Sequence, residues 1–348
     1  MSLIDVSGPG LTRHLALDNP TPNPGLARRL PPALAFRYHA LPVAEDSGRI
    51  TVAMVDPDDA AAREAVAAAL GTTPCVVRGA PATIDALLAE TWPRENHHAL
   101  RLLVCADQLT LRRKPASSTA DDVLTTYAQA MGTLLGAHVT HLGMAYDTRP
   151  ILDALADEVG CAGYHLVILE APAGRLFPDP ADCQAVDRFP TSLLIVRQPR
   201  RPLKRILLVI QGEESDNGAV DWAVRLVRPS GAAVTVLAVA PTAVTMHHDM
   251  ARPEPELSAW LTPETALGRQ MRRVARRLAN WEIEGALHLR QGPPGWQIRQ
   301  EVAERDYNLV VVAAAPDDQR LPRLGGKVIG PVLRWTDQPV LIAKPTAV

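Results

Sequence analysis

The chain has 348 residues, of which 47% are hydrophobic and 21% charged, so it holds enough apolar material for two or three folded domains. Lys and Arg number 36 against 38 Asp and Glu, which gives a formal net charge of -2, and aromatic residues make up only 4%. These values argue against nucleic-acid binding, which needs a positive surface and stacking side chains.

The cysteines and the N-terminus indicate the compartment. Cys75, Cys105, Cys161 and Cys183 lie far apart without a CxxC pair, which argues against a zinc ribbon or a secreted disulfide scaffold. The N-terminal sequence MSLIDVSGPGLTRH has no basic stretch followed by an apolar core, and no apolar run is long enough for a membrane span. We therefore predict a cytoplasmic protein without membrane insertion.

The first quarter of the chain predicts an arm and a small α/β module. Residues 1–25 are rich in Pro and Gly and have no sustained period, which is typical of an extended arm. Within residues 26–93, helical spacing runs from Leu26 through the letters ALPV. There follow an alternating strand at 49–57, a helix at 58–70, a strand PCVVRG and a helix from Ala82.

Four segments of this module, LPPALAFRY, ALPV, RITVAMVDPDD and ATIDALL, occur in the order of a known domain. They resemble the α/β half of the N-terminal domain of type II secretion and type IV pilus assembly ATPases. In that family, two RLGxxL-type segments before the helix bind cyclic di-GMP. No such segment and no GxxxxGK[ST] loop occur here, so the resemblance implies the scaffold without the cyclic di-GMP site or the ATPase.

The remainder of the chain repeats one order of elements. Residues 99–199 predict strands LRLLVCAD, HVTHLGMAY, YHLVILEAP and SLLIVRQP with helices between them. Residues 203–348 repeat the order with strands RILLVIQ, AVTVLAVAP, ALHLRQG, NLVVVAAAP and PVLIAKP. Strands that alternate with helices predict right-handed βαβ units, and hence an α/β fold of tandem open parallel sheets.

The second repeat resembles a universal stress protein domain. The resemblance lies in RILLVIQGEESDNGAVDWAVRL, GAAVTVLAVAP, RQGPPGWQIRQEVAERDYNLVVVAAAP and LGGKVIGPVLRWTDQPVLIAKP, and the first repeat resembles a shortened copy. It implies Rossmann-like units that pair through their last strands as an intramolecular pseudo-dimer. Fold alone does not give function, so the site residues must be considered.

In nucleotide-binding members of that family, a G-x2-G-x9-G-[ST] loop after the fourth strand holds the phosphates. Counting back from PVLI, the motif positions fall on Ala313, Pro316, Gly326 and Lys327. Only one glycine remains, and Pro316 has no amide hydrogen to donate. Lys327 could still hold a phosphate as a point charge, or be an ordinary solvated lysine.

Two further positions complete the implied site. The acidic residue at the end of the family's first strand falls on Gln211, and Val239 falls where an adenine would lie or where a core valine would pack. In the first repeat Asp107 keeps the acidic position, but Glu170 stands where a glycine would sit. The resemblance therefore implies degenerate loops, with ATP or AMP in the second repeat as the alternative.

Other candidate sites have simpler interpretations. The pairs His97-His98 and His247-His248 could bind a metal, but adjacent residues on an extended chain point in opposite directions. The helix RQMRRVARRLANW presents five arginines, either as a solvated face or as a surface for an anion or acidic partner. No GxSxG or Ser-His-Asp arrangement is present, and nothing in the sequence indicates catalysis.

We therefore predict a non-catalytic regulatory or scaffolding protein of the universal stress class. It requires no cofactor and acts through an unidentified protein partner. The alternative is an adenine-nucleotide sensor that uses residues 203–348.

Overall fold

The computed structural model describes residues 24–92, 100–107, 119–144, 163–171, 189–199, 202–212, 215–240, 264–314 and 328–344, with residues 152, 155, 156, 159, 185, 186 and 262. The chain divides into two compact units, Met1–His98 with Ala279–Glu282, and Ala99–Leu278 with Ile283–Val348. The boundaries predicted between the two repeats stay predictions.

The first unit is a small α/β module. Its described elements are α1 (Pro24–Ala27), α2 (Pro32–Tyr38), β1 (Ala40–Asp46), β2 (Arg49–Met54), α3 (Ala60–Leu70), β3 (Cys75–Arg78) and α4 (Pro81–Thr91). The strands form a sheet in the order β1-β2-β3, in which β2 pairs antiparallel with β1 and parallel with β3.

The predicted continuation of the helix through ALPV is wrong, because these residues begin strand β1. Helix α2 ends at His39, which has a φ of 43° in the left-handed region, and β1 begins at the next residue. Ser47 and Gly48, with φ values of 50° and 78°, then turn the chain into β2. Two successive positive φ angles are typical of the tight turns that join hairpin strands. Pairing with β2 therefore outweighs the helical spacing of these apolar residues.

The second unit is built on one large sheet. Its described elements are β4 (Arg101–Asp107), α5 (Thr119–Leu135), β5 (His138–Met144), β6 (Leu166–Glu170), β7 (Ser192–Val196), β8 (Arg205–Ile210), α6 (Asp216–Ser230), β9 (Ala233–Ala240), α7 (Ala266–Asn280), β10 (Gly285–Gln291), α8 (Pro294–Glu304), β11 (Leu309–Ala313), α9 (Ile329–Trp335) and β12 (Val340–Ala343).

These strands run in the order β10-β9-β8-β11-β12-β7-β6-β4-β5. Neighbours are parallel except at the middle, where β12 pairs antiparallel with β7. All described residues of β7, β11 and β12 are buried, as expected for strands covered on both faces. The predicted α/β class with parallel-dominated sheets is confirmed.

The two halves of the sheet have related topologies. Numbered within its own half, β8–β12 has the strand order 3-2-1-4-5, and β4–β7 has the order 2-1-3-4. Removing the edge strand β10 makes the two orders equivalent. Among the described strands, the first half therefore has one edge strand fewer than the second.

Buried Ser192 links three elements where β7 and β12 meet. Its hydroxyl accepts hydrogen bonds from Trp222 Nε1 in α6 at 2.9 Å and from the backbone N–H of Lys344, just after β12, at 3.1 Å. Buried polar groups are costly unless they are paired, so these bonds favour this alignment of the strands.

Candidate functional site

Strands β8 and β11 mark the point where the strand order of the second half reverses. From β8 the chain continues to β9 on one side, whereas β11 lies on the other side. In open parallel sheets, ligands bind in the crevice at the carboxyl ends of the strands at such a point. Here the strands end at Ile210 and Ala313, so the crevice begins at Gln211.

Gln211 lies across this crevice. Its side-chain Nε2 donates a hydrogen bond to the backbone carbonyl of Ala313 at 3.4 Å, a long bond that links the ends of β8 and β11. The structure thus brings together two of the six predicted site residues.

Asp216, the first residue of α6, is fully buried and accepts backbone hydrogen bonds in the same loop. The N–H of Gln211 lies 3.1 Å from each carboxylate oxygen, and the N–H of Gly212 lies 2.9 Å from Oδ2. Backbone amides at such a loop are the groups that bind phosphate in related folds. Here a carboxylate of the chain itself occupies them.

Gly212 allows the loop to pass close to α7. Its φ is +86°, and a Cβ at this position would lie 3.2 Å from the Cα of Leu267. A side chain would therefore be both conformationally strained and crowded. The close approach keeps the loop over the end of β8.

The other predicted positions are only partly described. Val239 is half-buried near the end of β9, pairs with Arg290 of β10 and packs against the hydrophobic core. Ala313 is fully buried and pairs with Ala343. Pro316, Gly326 and Lys327 lie outside the described residues, as do both histidine pairs.

The sequence reasoning missed Asp216, although a signal was present. An acid at the first position of a helix that follows a strand and a short loop is well placed to accept the free amides of that loop. Among the described residues, no group of three or more His, Cys, Asp or Glu side chains could hold a metal ion.

A second polar cluster, also missed, surrounds Glu301 on α8, whose side chain is fully buried. Its Oε1 accepts a hydrogen bond from Tyr307 Oη at 2.7 Å and contacts His288 Nδ1 at the same distance. Its Oε2 lies 2.7 Å from a terminal guanidinium nitrogen of Arg290, and Arg305 Nε lies 3.4 Å from Oε1. His288 and Arg290 alternate along β10, so both point to the face that α8 covers.

Opposing effects act on the titration of this cluster. Burial raises the pKa of Glu301, but the hydrogen bonds from Tyr307, His288 and Arg290 outweigh it and hold the pKa below its ordinary value. Burial, together with the bond to Glu301, raises the pKa of Tyr307 to about 12. The cluster joins α8 to β10.

Comparison with known proteins identifies two domains. Residues 202–344 match the universal stress protein family, and residues 11–95 match the MshEN domain. Residues 202–344 are therefore similar to universal stress protein domains. Both matches agree with the families that the sequence motifs indicate, and no curated protein matches the chain.

Similar solved structures are also universal stress proteins. A putative one from Pseudomonas aeruginosa is 18% identical, with 76% of this chain and 88% of that chain covered and a TM-score of 0.45. One from Archaeoglobus fulgidus is 12% identical, with 70% and 98% covered and a TM-score of 0.47. One from Arabidopsis thaliana with AMP bound is 14% identical, with 41% and 93% covered and a TM-score of 0.29.

The described part of the chain contains no helix that is both long enough and apolar enough to cross a bilayer.

Proposed function

We propose that the protein is a non-catalytic regulatory or scaffolding member of the universal stress class, which acts through a protein partner and needs no cofactor. One observation carries the proposal: the chain's own groups occupy the crevice in which a ligand would bind. Asp216 accepts the backbone N–H groups of Gln211 and Gly212, and the Gln211 side chain reaches the carbonyl of Ala313.

The electrostatics of the crevice support the same proposal. A nucleotide phosphate placed against these amides would have to displace a buried carboxylate and would be repelled by its charge. The described strand ends offer the side chains of Gln211, Ala240, Gln291 and Ala313. None of these is a general acid, a general base or a nucleophile at ordinary pKa values.

An adenine-nucleotide sensor is the alternative. It would place adenine beside Val239 and phosphates at Gly326 and Lys327, with ATP or AMP as ligand. This alternative places a ligand in the crevice, whereas the scaffolding role needs none there.

Thermal unfolding with and without nucleotide tests the proposal. A ligand at 100 times its Kd stabilises a protein by about 2.7 kcal/mol, which raises Tm clearly. We expect no rise with millimolar ATP, AMP, cyclic di-GMP or cyclic di-AMP, and no release of ADP from ATP.

The contradicting result is a rise with ATP or AMP that Lys327→Ala abolishes. The matched control is Lys204→Ala, because Lys204 is exposed at the amino end of β8, opposite the crevice. A rise lost only in the Lys327 variant would make the protein a sensor.

The proposal also includes a cytoplasmic location and an intramolecular pseudo-dimer of the two repeats. The antiparallel pairing of β7 with β12 supports the pseudo-dimer, because these are the last strands of the two repeats. Residues Leu193–Ile195 pair with Val340–Ile342, so the contact runs through the middle of the sheet.

A further inference from the structure

Two tryptophans are exposed on neighbouring helices of the second unit. Trp296 on α8 is 50% exposed and Trp335 on α9 is 40% exposed, and among the described residues only Val123 and Leu287 are large apolar residues of similar exposure. Large aromatic side chains bury much apolar area when covered, so two of them left open on adjacent helices need an explanation.

Gly295 brings the two helices together. A Cβ on Gly295 would lie 2.5 Å from Cζ3 of Trp335 and closer still to Cβ of Pro331. The Trp335 ring therefore lies against the first turn of α8, which is the turn that carries Trp296. We call the residues Trp296, Arg299, Pro331, Arg334 and Trp335, which lie on these two packed helices, the tryptophan surface.

The charge of the tryptophan surface is positive. Arg299 and Arg334 are both exposed, and the Arg299 guanidinium lies 5.8 Å from the centre of the Trp296 ring. The nearby acids interact with other cations, since Glu304 pairs with Arg290 and Asp337 acts on Arg197. Among the described residues, no carboxylate forms an ion pair with Arg299 or Arg334.

This chemistry favours one kind of ligand. Trp and Arg are the residue types that contribute most to binding at protein interfaces, and a guanidinium binds a carboxylate through two parallel hydrogen bonds. Single-stranded nucleic acid would need a basic groove that follows its backbone, but two arginines on a chain of net charge -2 do not provide one.

We propose that the tryptophan surface binds an acidic peptide segment of a partner protein, one that carries apolar side chains between its carboxylates. The indoles would cover the apolar side chains, and Arg299 and Arg334 would bind the carboxylates. This inference rests on the proposed scaffolding role and names the chemistry of the partner.

Binding of defined peptides to the full chain tests the proposal. The probe is a pool of short synthetic peptides that combine glutamates with leucine or phenylalanine at varied spacings. A second pool replaces glutamate by lysine. We expect members of the acidic pool to bind and to change the tryptophan fluorescence, with affinity that falls as salt rises.

Four variant proteins localise the binding. The double variant Arg299→Glu/Arg334→Glu should weaken the affinity for the best peptide by about tenfold or more, and so should the single variant Trp335→Ala. Arg272→Glu combined with Arg276→Glu makes the same charge change at exposed positions of α7 and should leave the affinity within about twofold. Trp335→Phe gives a second test if the alanine variant unfolds.

Several outcomes would overturn the proposal. The protein could bind the acidic and the lysine pools equally well, or the two charge-reversed proteins could lose the same peptide affinity. Unchanged peptide binding in the Trp335 variants would also contradict it. Tight binding of oligo(dT) at the same surface would replace the peptide by a nucleic acid. Thermal unfolding with nucleotides tests the crevice after β8 and β11, whereas peptide binding tests the surface on α8 and α9. The proposed function and this inference can therefore fail separately.

Discussion

At the scale of single residues, the buried carboxylate of Glu301 determines how α8 is held. It contacts two side chains of β10, His288 and Arg290, and the hydroxyl of Tyr307 before β11. Removing one partner of a buried charged group leaves the others without compensation, so such clusters tolerate substitution poorly.

Glu301→Gln should therefore lower the free energy of unfolding by roughly 3 kcal/mol, because Arg290 loses its buried counter-charge. Denaturant unfolding measures the change. The matched control is Glu304→Gln, whose side chain is 54% exposed and also pairs with Arg290, and its effect should stay below about 1 kcal/mol. Equal effects of the two variants would contradict a special role for the buried position.

The same cluster predicts the pH dependence of stability. The folded pKa of Glu301 lies below its ordinary value of 4.5, so its stabilisation is present above that pH and is lost as the pH falls through the folded value. The folded pKa of Tyr307 is raised from 10.0 to about 12, so its contribution is present below pH 10 and is lost as the pH rises towards 12.

Tyr307→Phe should consequently be less stable than the parent protein at neutral pH, by about 1 kcal/mol for one lost hydrogen bond. The difference in unfolding free energy between the two proteins should shrink between pH 10 and 12. Urea titrations across this range measure it. A constant difference would show that the Tyr307 hydroxyl does not titrate with the raised pKa.

At the scale of elements, the sequence places helix ends well where local chemistry defines them. Asp59 caps α3, accepting a hydrogen bond from the N–H of Ala62 at 3.1 Å, and Gly71 ends the helix with a φ of 68°. The sequence predicts a start at Asp58, which instead pairs with Arg78 at 3.2 Å. The neighbouring acids therefore have different structural roles.

Asp59→Ala should destabilise the first unit by about 1 kcal/mol, because α3 loses its side-chain cap. Asp58→Ala is the matched control and should change stability by less than about 0.5 kcal/mol, since an exposed ion pair contributes little. Thermal unfolding of the full chain, followed by hydrogen exchange in α3, compares them. A larger loss of stability in Asp58→Ala than in Asp59→Ala would contradict the capping role of Asp59.

At the scale of the whole second unit, the two repeats share one sheet through β7 and β12. Leu341 of β12 is fully buried and pairs with Leu194 of β7. Strands on both sides of this pairing depend on it for their central hydrogen bonds and packing. The unit should therefore unfold cooperatively rather than as two separate halves.

Leu341→Ala should lower the unfolding free energy by about 2 to 5 kcal/mol, as expected for a large-to-small change in a core. Hydrogen exchange should speed up together in β4–β7 and β8–β12. Val123→Ala, at a position 46% exposed on α5, is the control and should change neither half. Acceleration confined to β8–β12 would mean that the halves unfold independently.

The sequence predicted much of the fold because most elements carry local signals. Continuous apolar runs gave the buried strands, and capping acids and glycines gave the helix ends. The exception, β1, has apolar spacing that fits a helix as well as a strand. Pairing with β2 across the Ser47-Gly48 turn decides between them, and that pairing is a long-range contact.

The sequence likewise predicted only part of the candidate site. The resemblance to the universal stress protein family assigned Gln211, Val239 and Ala313 to the candidate site, and their places at strand ends follow from the apolar runs that contain them. Only the tertiary structure shows three contacts. Asp216 accepts hydrogen bonds from the loop amides, Glu301 joins β10 to α8, and Gly295 lets Trp335 pack against the turn that carries Trp296. Sequence spacing determines which residues share an element, but contacts between elements depend on how the whole sheet and its helices pack.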